Sequence, residues 1–507
     1  MAALNCSTLT GTMQTMCDFM YAQANPLTCG GLEFLGDSGC EAYESPLQKL
    51  AGKLGGDATL DSGNTAWMMI SSAFVMIMTP GLALFYGGLT GQSSVSNTIM
   101  MCLTAMCLVT VQWFLVGYSF AFGPGNEGFG SFAWACLISV TSAPSGAYGA
   151  GIPHYVWVAF QCMFAQLTPA LICGAVVGRM KFLSFAIFVL IWTTVIYDPL
   201  AHWVWALTVN DEGGIAAAGW LGILGAADFA GGAVIHISSG FAALAAALVV
   251  GKRHDYGKPL KPHNVPMVII GASLLWFGWF GFNAGSAGGA AGTVPGDVLN
   301  TLAGTAFINT HIAACMAAFT WMLCEKLVDS SPTAAGAASG VVAGLVAITP
   351  ACGFVTPWAS TIIGAVVSPF CYGAVKLKGK LGVDDTLDAW GIHGIGGVVG
   401  AFMTGLFADP AVNPFYAGAF YGNPKLLGYE IAAILVSASF SFFGSFIILK
   451  GLEKTIGVRI SEDVETAGID ISEHGGAAYE SMDGPAASFT VNSQAMVAAE
   501  TKKENDV

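Results

Sequence analysis

Runs of about 20 apolar residues recur along this chain, each long enough to cross a hydrocarbon layer as a helix. In such a layer backbone amides find no water, so helices that satisfy their own N–H groups are the natural solution. Charge is too sparse for any other reading. Of 507 residues 10% are charged and 54% hydrophobic, whereas a soluble domain carries about a quarter charged residues. The chain reads as an integral, all-α membrane protein. Its net charge of −14 comes largely from acidic residues near the two ends (Asp18 to Asp61 and Glu453 to Asp506), so nucleic-acid binding has no support.

Eleven segments satisfy the length rule. They start near Thr65, Thr98, Val156, Phe182, Asp228, Val265, Thr301, Gly336, Pro357, Leu387 and Leu426. Pro80, Pro169, Pro199 and Pro369 fall within or at the ends of these spans, which membrane bundles tolerate. Basic residues follow the odd-numbered segments: Arg179 and Lys181, then Lys252, Arg253, Lys258 and Lys261, then Lys326, then Lys376, Lys378 and Lys380, then Lys450, Lys454 and Arg459. Loops on the other side carry only Lys425. The positive-inside rule therefore predicts an external N-terminus and a cytoplasmic C-terminus. Three regions result: a Cys-containing external segment (1–61), a membrane domain (62–450) and a cytoplasmic tail (451–507). The first twenty residues lack a basic start and a long apolar stretch, so no cleaved signal peptide is expected. Cys6, Cys17, Cys29 and Cys40 precede the first span, and an external N-terminus would let them form disulfides of undefined connectivity.

Two histidines stand out. His236 lies in DFAGGAVIHISSGFAALAAALVV and His393 in LDAWGIHGIGGVVGAFMTGLF, both otherwise glycine-rich and apolar. Ionisable groups at membrane depth are costly and usually face a pathway or a partner. An Asp precedes each (Asp228, Asp388), and the two segments enter from opposite sides. That is the trace of an inverted repeat, segments one to five against six to ten, with a peripheral eleventh helix. Helical rise puts His236 about 12 Å from one face and His393 about 8 Å from the other, close enough in a layer about 30 Å thick to meet. Each neutral imidazole offers one donor and one acceptor. A pair of them in a dry lumen suits a small neutral polar molecule or a relayed proton. A bare alkali cation would pay a large desolvation penalty there, with no carbonyl ring to replace its water.

A cation could be gathered first on aromatic faces. Trp205 ends segment four, Phe160 and Phe164 share one face of segment three, and Phe282 lies in WFGFNAGS.

The strings PGLALFYGG, GYSFAFGPGN, VAFQCMFAQLTPALICGA, DFAGGAVIHI, KPHNVPM, GWFGFNAGS, TPACGFVTP and DDTLDAWGIHGIGG, in this order, resemble the ammonium transporter family (Amt/Mep/Rh). The tail RISEDVETAGIDISEHGGAAYE further resembles plant-type Amt proteins. The resemblance implies an eleven-helix pore in each subunit of a homotrimer in the plasma membrane. It implies ammonium recruitment at Trp205, Phe164 and Ser286, and a gate of Phe160 or Phe164 with Phe282. It also implies twin pore histidines at His236 and His393, with Gln161 and Trp279 near the pore mouth and lumen wall. Asp228 matches a structurally important Asp near the outer site. Asp198 departs from the pattern, where relatives usually carry an apolar residue; it is expected to cap or sit in the outer headgroup zone, the alternative being added negative potential at the vestibule. Substrates implied are ammonium or ammonia, with methylammonium as a candidate analogue. No cofactor, metal or enzymatic motif is expected. The rival reading is an ammonium sensor signalling through its tail. In plant-type relatives a Thr in the string matching IDISEHGG is phosphorylated to close the pore; here that position is Ser472, which would require a kinase.

Overall fold

The computed structural model describes residues 60–149, 151–210, 214–258, 261–290 and 302–479. The four N-terminal cysteines, Asn5 in the Asn-Cys-Ser sequence that fits an N-glycosylation acceptor, and the tail beyond 479 lie outside the described residues. Among the described residues ten helices are long and apolar enough to span a membrane: α1 (Ser62–Leu89), α2 (Gln92–Phe122), α3 (His154–Ala175), α4 (Phe182–Trp205), α5 (Gly232–Val250), α6 (Val265–Gly285), α7 (Leu302–Val328), α9 (Pro357–Leu381), α10 (Trp390–Phe407) and α11 (Pro424–Thr455). The segment expected near Gly336 forms α8 (Ala334–Ile348), which has only 15 residues. It ends early because ThrProAlaCysGly at 349–353 turns the chain, with Ala351 and Phe354 amides bonding back by three residues. At about 22 Å it falls short of the hydrocarbon thickness. Eleven helices were expected to span; ten do so by length and composition, and α8 completes the order as a shorter one.

Local chemistry sets the ends. Asp61 caps α1 by accepting from the Asn64 amide at 2.6 Å. Asn264 caps α6 from Met267 at 3.0 Å, with Pro266 in its first turn, where a missing N–H costs nothing. Gly251 and Gly382 stop α5 and α9 at positive φ. The helix α11 runs past Lys450 to Thr455, so the tail begins later than position 451.

α1 packs along α6, α8 between α7 and α9, and α5 and α10 against each other and α11. The α5–α10 contact is closest where Gly240 meets Gly394; a Cβ on Gly240 would overlap the Gly394 amide nitrogen and Cα. These two helices carry the two histidines. α11 is the most exposed span and wraps the outside, anchored by Ser441 Oγ to Ser238 O at 2.6 Å and by Trp192 Nε1 to Ser445 Oγ at 2.9 Å.

One end of the bundle is held by Arg179. It is fully buried, and its guanidinium donates to the carbonyls of Gly251 (2.7 Å), Ala175 (2.8 Å) and Asp384 and to Thr386 Oγ1 (2.7 Å). It ties the ends of α3 and α5 to the segment entering α10. Burial pulls its pKa down to about 10, with Asp384 opposing, so it stays charged at neutral pH. The tail docks on the same side. α12 (Glu462–Ala467) sends Glu465 to the His254 amide (2.8 Å) and Arg459 (2.7 Å). α13 (Ile469–His474) sends the buried Asp470 carboxylate to the Ser96 and Asn97 amides at 2.9 and 2.7 Å, a charge placed favourably at the start of α2.

Replacing Gly240 with alanine forces the two histidine-bearing helices apart. Overpacking of this kind costs about 1–3 kcal/mol, and thermal unfolding of the purified variant in detergent should register it as a clear fall in midpoint. An unchanged midpoint would show that the α5–α10 crossing has slack.

Candidate functional site

Asp228 sits just before α5. Its carboxylate accepts from four consecutive amides, Gly231 (2.8 Å), Gly232 (2.6 Å), Ala233 (2.7 Å) and Val234 (3.3 Å). Gly231, at φ 123°, makes that wrap possible, since only glycine is at ease there. A carboxylate at a helix N-terminus answers both its orphan donors and its dipole. The first turn that follows, Gly232–Ile237, is π-helical and presents His236. α10 repeats the device. Its first turn, Trp390–Gly394, is also π-helical and presents His393. The capping carboxylate there belongs to Asp385, which accepts from Ala389 (3.0 Å) and Trp390 (2.9 Å). The counterpart of Asp228 is thus Asp385, not the Asp388 expected from the sequence. Asp388 instead takes a left-handed backbone (φ 64°) and pairs with Lys378, while its carbonyl accepts from Ile392 at 2.8 Å. The signal was present in the spacing: Asp228 and Asp385 each stand eight residues before their histidine, and Asp388 only five.

The two imidazoles meet. Nδ1 of His393 and Nδ1 of His236 are 3.3 Å apart, and the rings lie nearly parallel with centroids at 5.4 Å. One nitrogen must donate and the other accept, so the two rings take opposite tautomers. Both side chains are buried, and Nε2 of His236 has no partner among the described residues. Trp279 stacks on His236 at 5.4 Å and is itself fixed by Nε1 to Thr349 Oγ1 at 2.9 Å.

Aromatic rings continue the line. Phe282 lies 6.1 Å from His236. Phe164 stacks on Phe282 with centroids 4.3 Å apart, and Phe160 meets Phe164 at 4.8 Å. All three are fully buried. Trp205 meets Phe164 edge-on at 6.2 Å, remains half-buried, and is oriented by Nε1 donating to Asp228 O at 2.9 Å. Asp228 thereby fixes two things, the turn that carries His236 and the indole.

Ser286 follows α6, one turn beyond Phe282, and its hydroxyl donates to Phe282 O at 2.9 Å. Its oxygen lone pairs are left to accept. Gln161, on α3 beside Phe160, is buried, and its Oε1 has no donor. Asp198, expected in the headgroup zone, is completely buried between α2 and α4, where Gln112 Nε2 reaches it at 2.7 Å. Ser472 is exposed on α13 with Oγ donating to Ile469 O at 3.2 Å, between the docked Asp470 and Glu473, whose carboxylate receives the Phe182 amide at 3.3 Å. Arg179 and Asp470 escaped the sequence reading because their roles rest on partners far away in the chain.

The chain as a whole is similar to known proteins. The family model described as Ammonium Transporter Family matches residues 66–479. The chain belongs to the ammonium transporter family. It is 45% identical to an ammonium transporter of Bacillus subtilis over 423 residues, covering 83% of this chain and 99% of that one. To ammonium transporter Amt1 of Archaeoglobus fulgidus it is 39% identical over 422 residues, with 83% and 100% coverage. The crystal structure of Candida albicans Mep2 superposes with a TM-score of 0.73 at 37% identity, covering 85% of this chain and 94% of that one. A solved sensor Amt protein gives a TM-score of 0.73 at 27% identity, covering 81% of this chain and 98% of that one.

In this ammonium transporter family member, Asp385→Ala removes two charge-assisted hydrogen bonds worth about 1.5–3 kcal/mol each, whereas Asp388→Ala removes one ion pair. Denaturant or thermal unfolding should rank Asp385→Ala as the more damaging. The reverse order would restore Asp388 as the residue that holds the turn.

Proposed function

We propose that the chain transports ammonium across the plasma membrane, recruiting the ion on Trp205, Phe164 and Ser286 and passing it, stripped of a proton, along His236 and His393. The observation that carries this reading is the unbroken series of side chains from Trp205 through Phe164 and Phe282 to the histidine pair. The faces of the half-buried Trp205 indole and of Phe164 offer cation–π attraction, and Ser286 offers an acceptor. Beyond them the fully buried Phe164–Phe282 stack blocks the way and acts as a gate with Phe160. A cation cannot enter the apolar lumen cheaply. Ammonium can lose its proton and continue as a neutral amine, for which the unpartnered Nε2 of His236 is a waiting hydrogen-bond group, as is Oε1 of Gln161 near the entrance. Potassium and sodium have no such option. Net charge movement requires a path for the proton, and the Nδ1–Nδ1 contact between the histidines is one.

The basic loops support an external N-terminus and a cytoplasmic tail, and the family likeness supports a homotrimer. Methylammonium, a slightly larger cation of the same kind, should compete at the outer site. The likeness to a sensor Amt protein is lower in identity than the likeness to the transporters, which favours transport over signalling.

Trp205→Leu tests recruitment. Losing about 0.5–2 kcal/mol of cation attraction should weaken apparent ammonium affinity by about 2- to 30-fold at normal surface expression. Unchanged uptake and unchanged competition by methylammonium would reduce Trp205 to an interfacial anchor.

His236→Ala or His393→Ala leaves the other imidazole without its partner in a dry lumen, at about 1–3 kcal/mol. Uptake by a host lacking its own ammonium transporter should fall about 5- to 150-fold, and the remaining current should discriminate less against potassium. Normal flux and normal discrimination in both variants would remove the histidines from the mechanism.

Ser472 is proposed as a phosphorylation switch. A phosphate there adds about −1.5 to −2 charges beside Asp470 and Glu473, both of which dock the tail. Ser472→Asp should reduce uptake at equal surface abundance while Ser472→Ala stays active, and full activity of Ser472→Asp would leave the tail as a structural brace.

A further inference from the structure

Between α2 and α4, two buried polar side chains face each other with an imbalance. Gln112 Nε2 donates to Asp198 Oδ2 at 2.7 Å and to Thr194 Oγ1 at 3.1 Å, which uses both of its hydrogens. Gln112 Oε1 and Asp198 Oδ1 are both buried, and among the described residues neither has a donor. Among the described residues no Lys, Arg or His forms an ion pair with Asp198. The Thr194 hydroxyl is committed to Leu190 O at 2.9 Å.

A carboxylate in this place would be an uncompensated charge inside a membrane protein, the costliest arrangement available to it. A single proton changes the accounting of donors and acceptors. On Asp198 it turns one orphan oxygen into a hydroxyl donor and supplies the other orphan, Gln112 Oε1, with a hydrogen bond. The acid and the amide then pair through two parallel bonds, N–H to O and O–H to O, with no net charge.

The backbone makes room for this pair on both sides. α2 and α4 each carry a π turn next to it, Trp113–Gly117 directly after Gln112 and Thr193–Tyr197 directly before Asp198. Such single widened turns mark places where a helix trades regularity for a specific side-chain position. Gly117 is part of the fit: a Cβ there would lie 2.6 Å from Gln112 Oε1.

We propose that Asp198 is a proton-binding site, neutral in the working protein, in which the bound proton is shared with Gln112 and joins α2 to α4. Asp198 then adds no negative potential to the outer vestibule, and it is not a way station for ammonium.

Infrared difference spectroscopy on the full-length protein in lipid tests this directly. At neutral pH the wild type should show the carbonyl stretch of a protonated carboxylic acid. That band should move in D2O, vanish in Asp198→Asn and shift in Gln112→Leu, where the acid loses its hydrogen-bond partner. Asp198→Asn supplies an N–H in place of the acid O–H, so it should also keep wild-type ammonium uptake and thermal stability, while Asp198→Leu, which removes both bonds between the acid and Gln112, should lose stability. Absence of a band that depends on Asp198 would overturn the proposal. So would a severalfold loss of apparent ammonium affinity in Asp198→Asn at normal expression, since that would mean a charge had been removed. Should Asp198→Asn not fold, the shift in Gln112→Leu alone decides, and a band unmoved by that change overturns the pairing. The result is independent of the transport reading, because the band reports on Asp198 whether or not the histidine line conducts.

Discussion

Two imidazoles buried at membrane depth with one hydrogen-bonding nitrogen each turned to the other impose the rest of this architecture. His236 and His393 come from helices that enter the bundle from opposite sides, so their contact at 3.3 Å depends on how each helix begins. Each begins on a π turn fixed by a carboxylate eight residues upstream, Asp228 in one case and Asp385 in the other. The glycines at the α5–α10 crossing let the helices approach. Arg179 then secures the segment that leads into Asp385. Caps, crossing and anchor are separate pieces of chemistry, and all serve one hydrogen bond.

In the proposed pathway the same contact accounts for a selectivity that no binding site for a bare ion could give. A pore lined by aromatic edges, apolar side chains and neutral imidazoles contains nothing that replaces the hydration shell of an alkali cation. Selection can instead rest on acidity. A cation able to leave its proton behind crosses as a neutral amine, and one unable to do so stays out. In that proposal the aromatic site ahead of the gate concentrates cations at modest energy, and the gate and lumen discriminate. The proposed pathway thus assigns recruitment and rejection to different residues, Trp205 with Phe164 on one hand and the histidine line on the other.

Much of this was legible in the sequence because hydrocarbon thickness and charge asymmetry act on residue type alone. Ten of the expected spans and their order follow from apolar length. α8 differs because the chain turns at Thr349 to Gly353, and length rules do not see a turn inside an apolar run. The histidines were visible as ionisable residues in apolar surroundings. Their capping carboxylates were half visible: Asp228 was found, but proximity to His393 favoured Asp388 over Asp385, although the equal spacing of eight pointed to the latter. Asp198 was noticed as an oddity and misplaced at the membrane surface, because its partner Gln112 stands 86 residues away in the chain. Arg179 and Asp470 were hidden for the same reason. What sequence patterns miss here is long-range polar pairing, which depends on the packed arrangement and leaves no periodic trace.

The most direct measurement of the central claim is cation selectivity of the purified wild-type protein in sealed lipid vesicles. Ammonium and potassium gradients of equal size are imposed in turn, and internal pH and membrane current are followed. A pathway that admits only a deprotonated amine predicts ammonium-driven pH or charge signals that saturate with concentration, and no potassium current above that of protein-free vesicles. A potassium current comparable to the ammonium response would contradict a neutral histidine-lined pore and require an ion-conducting path elsewhere in the bundle.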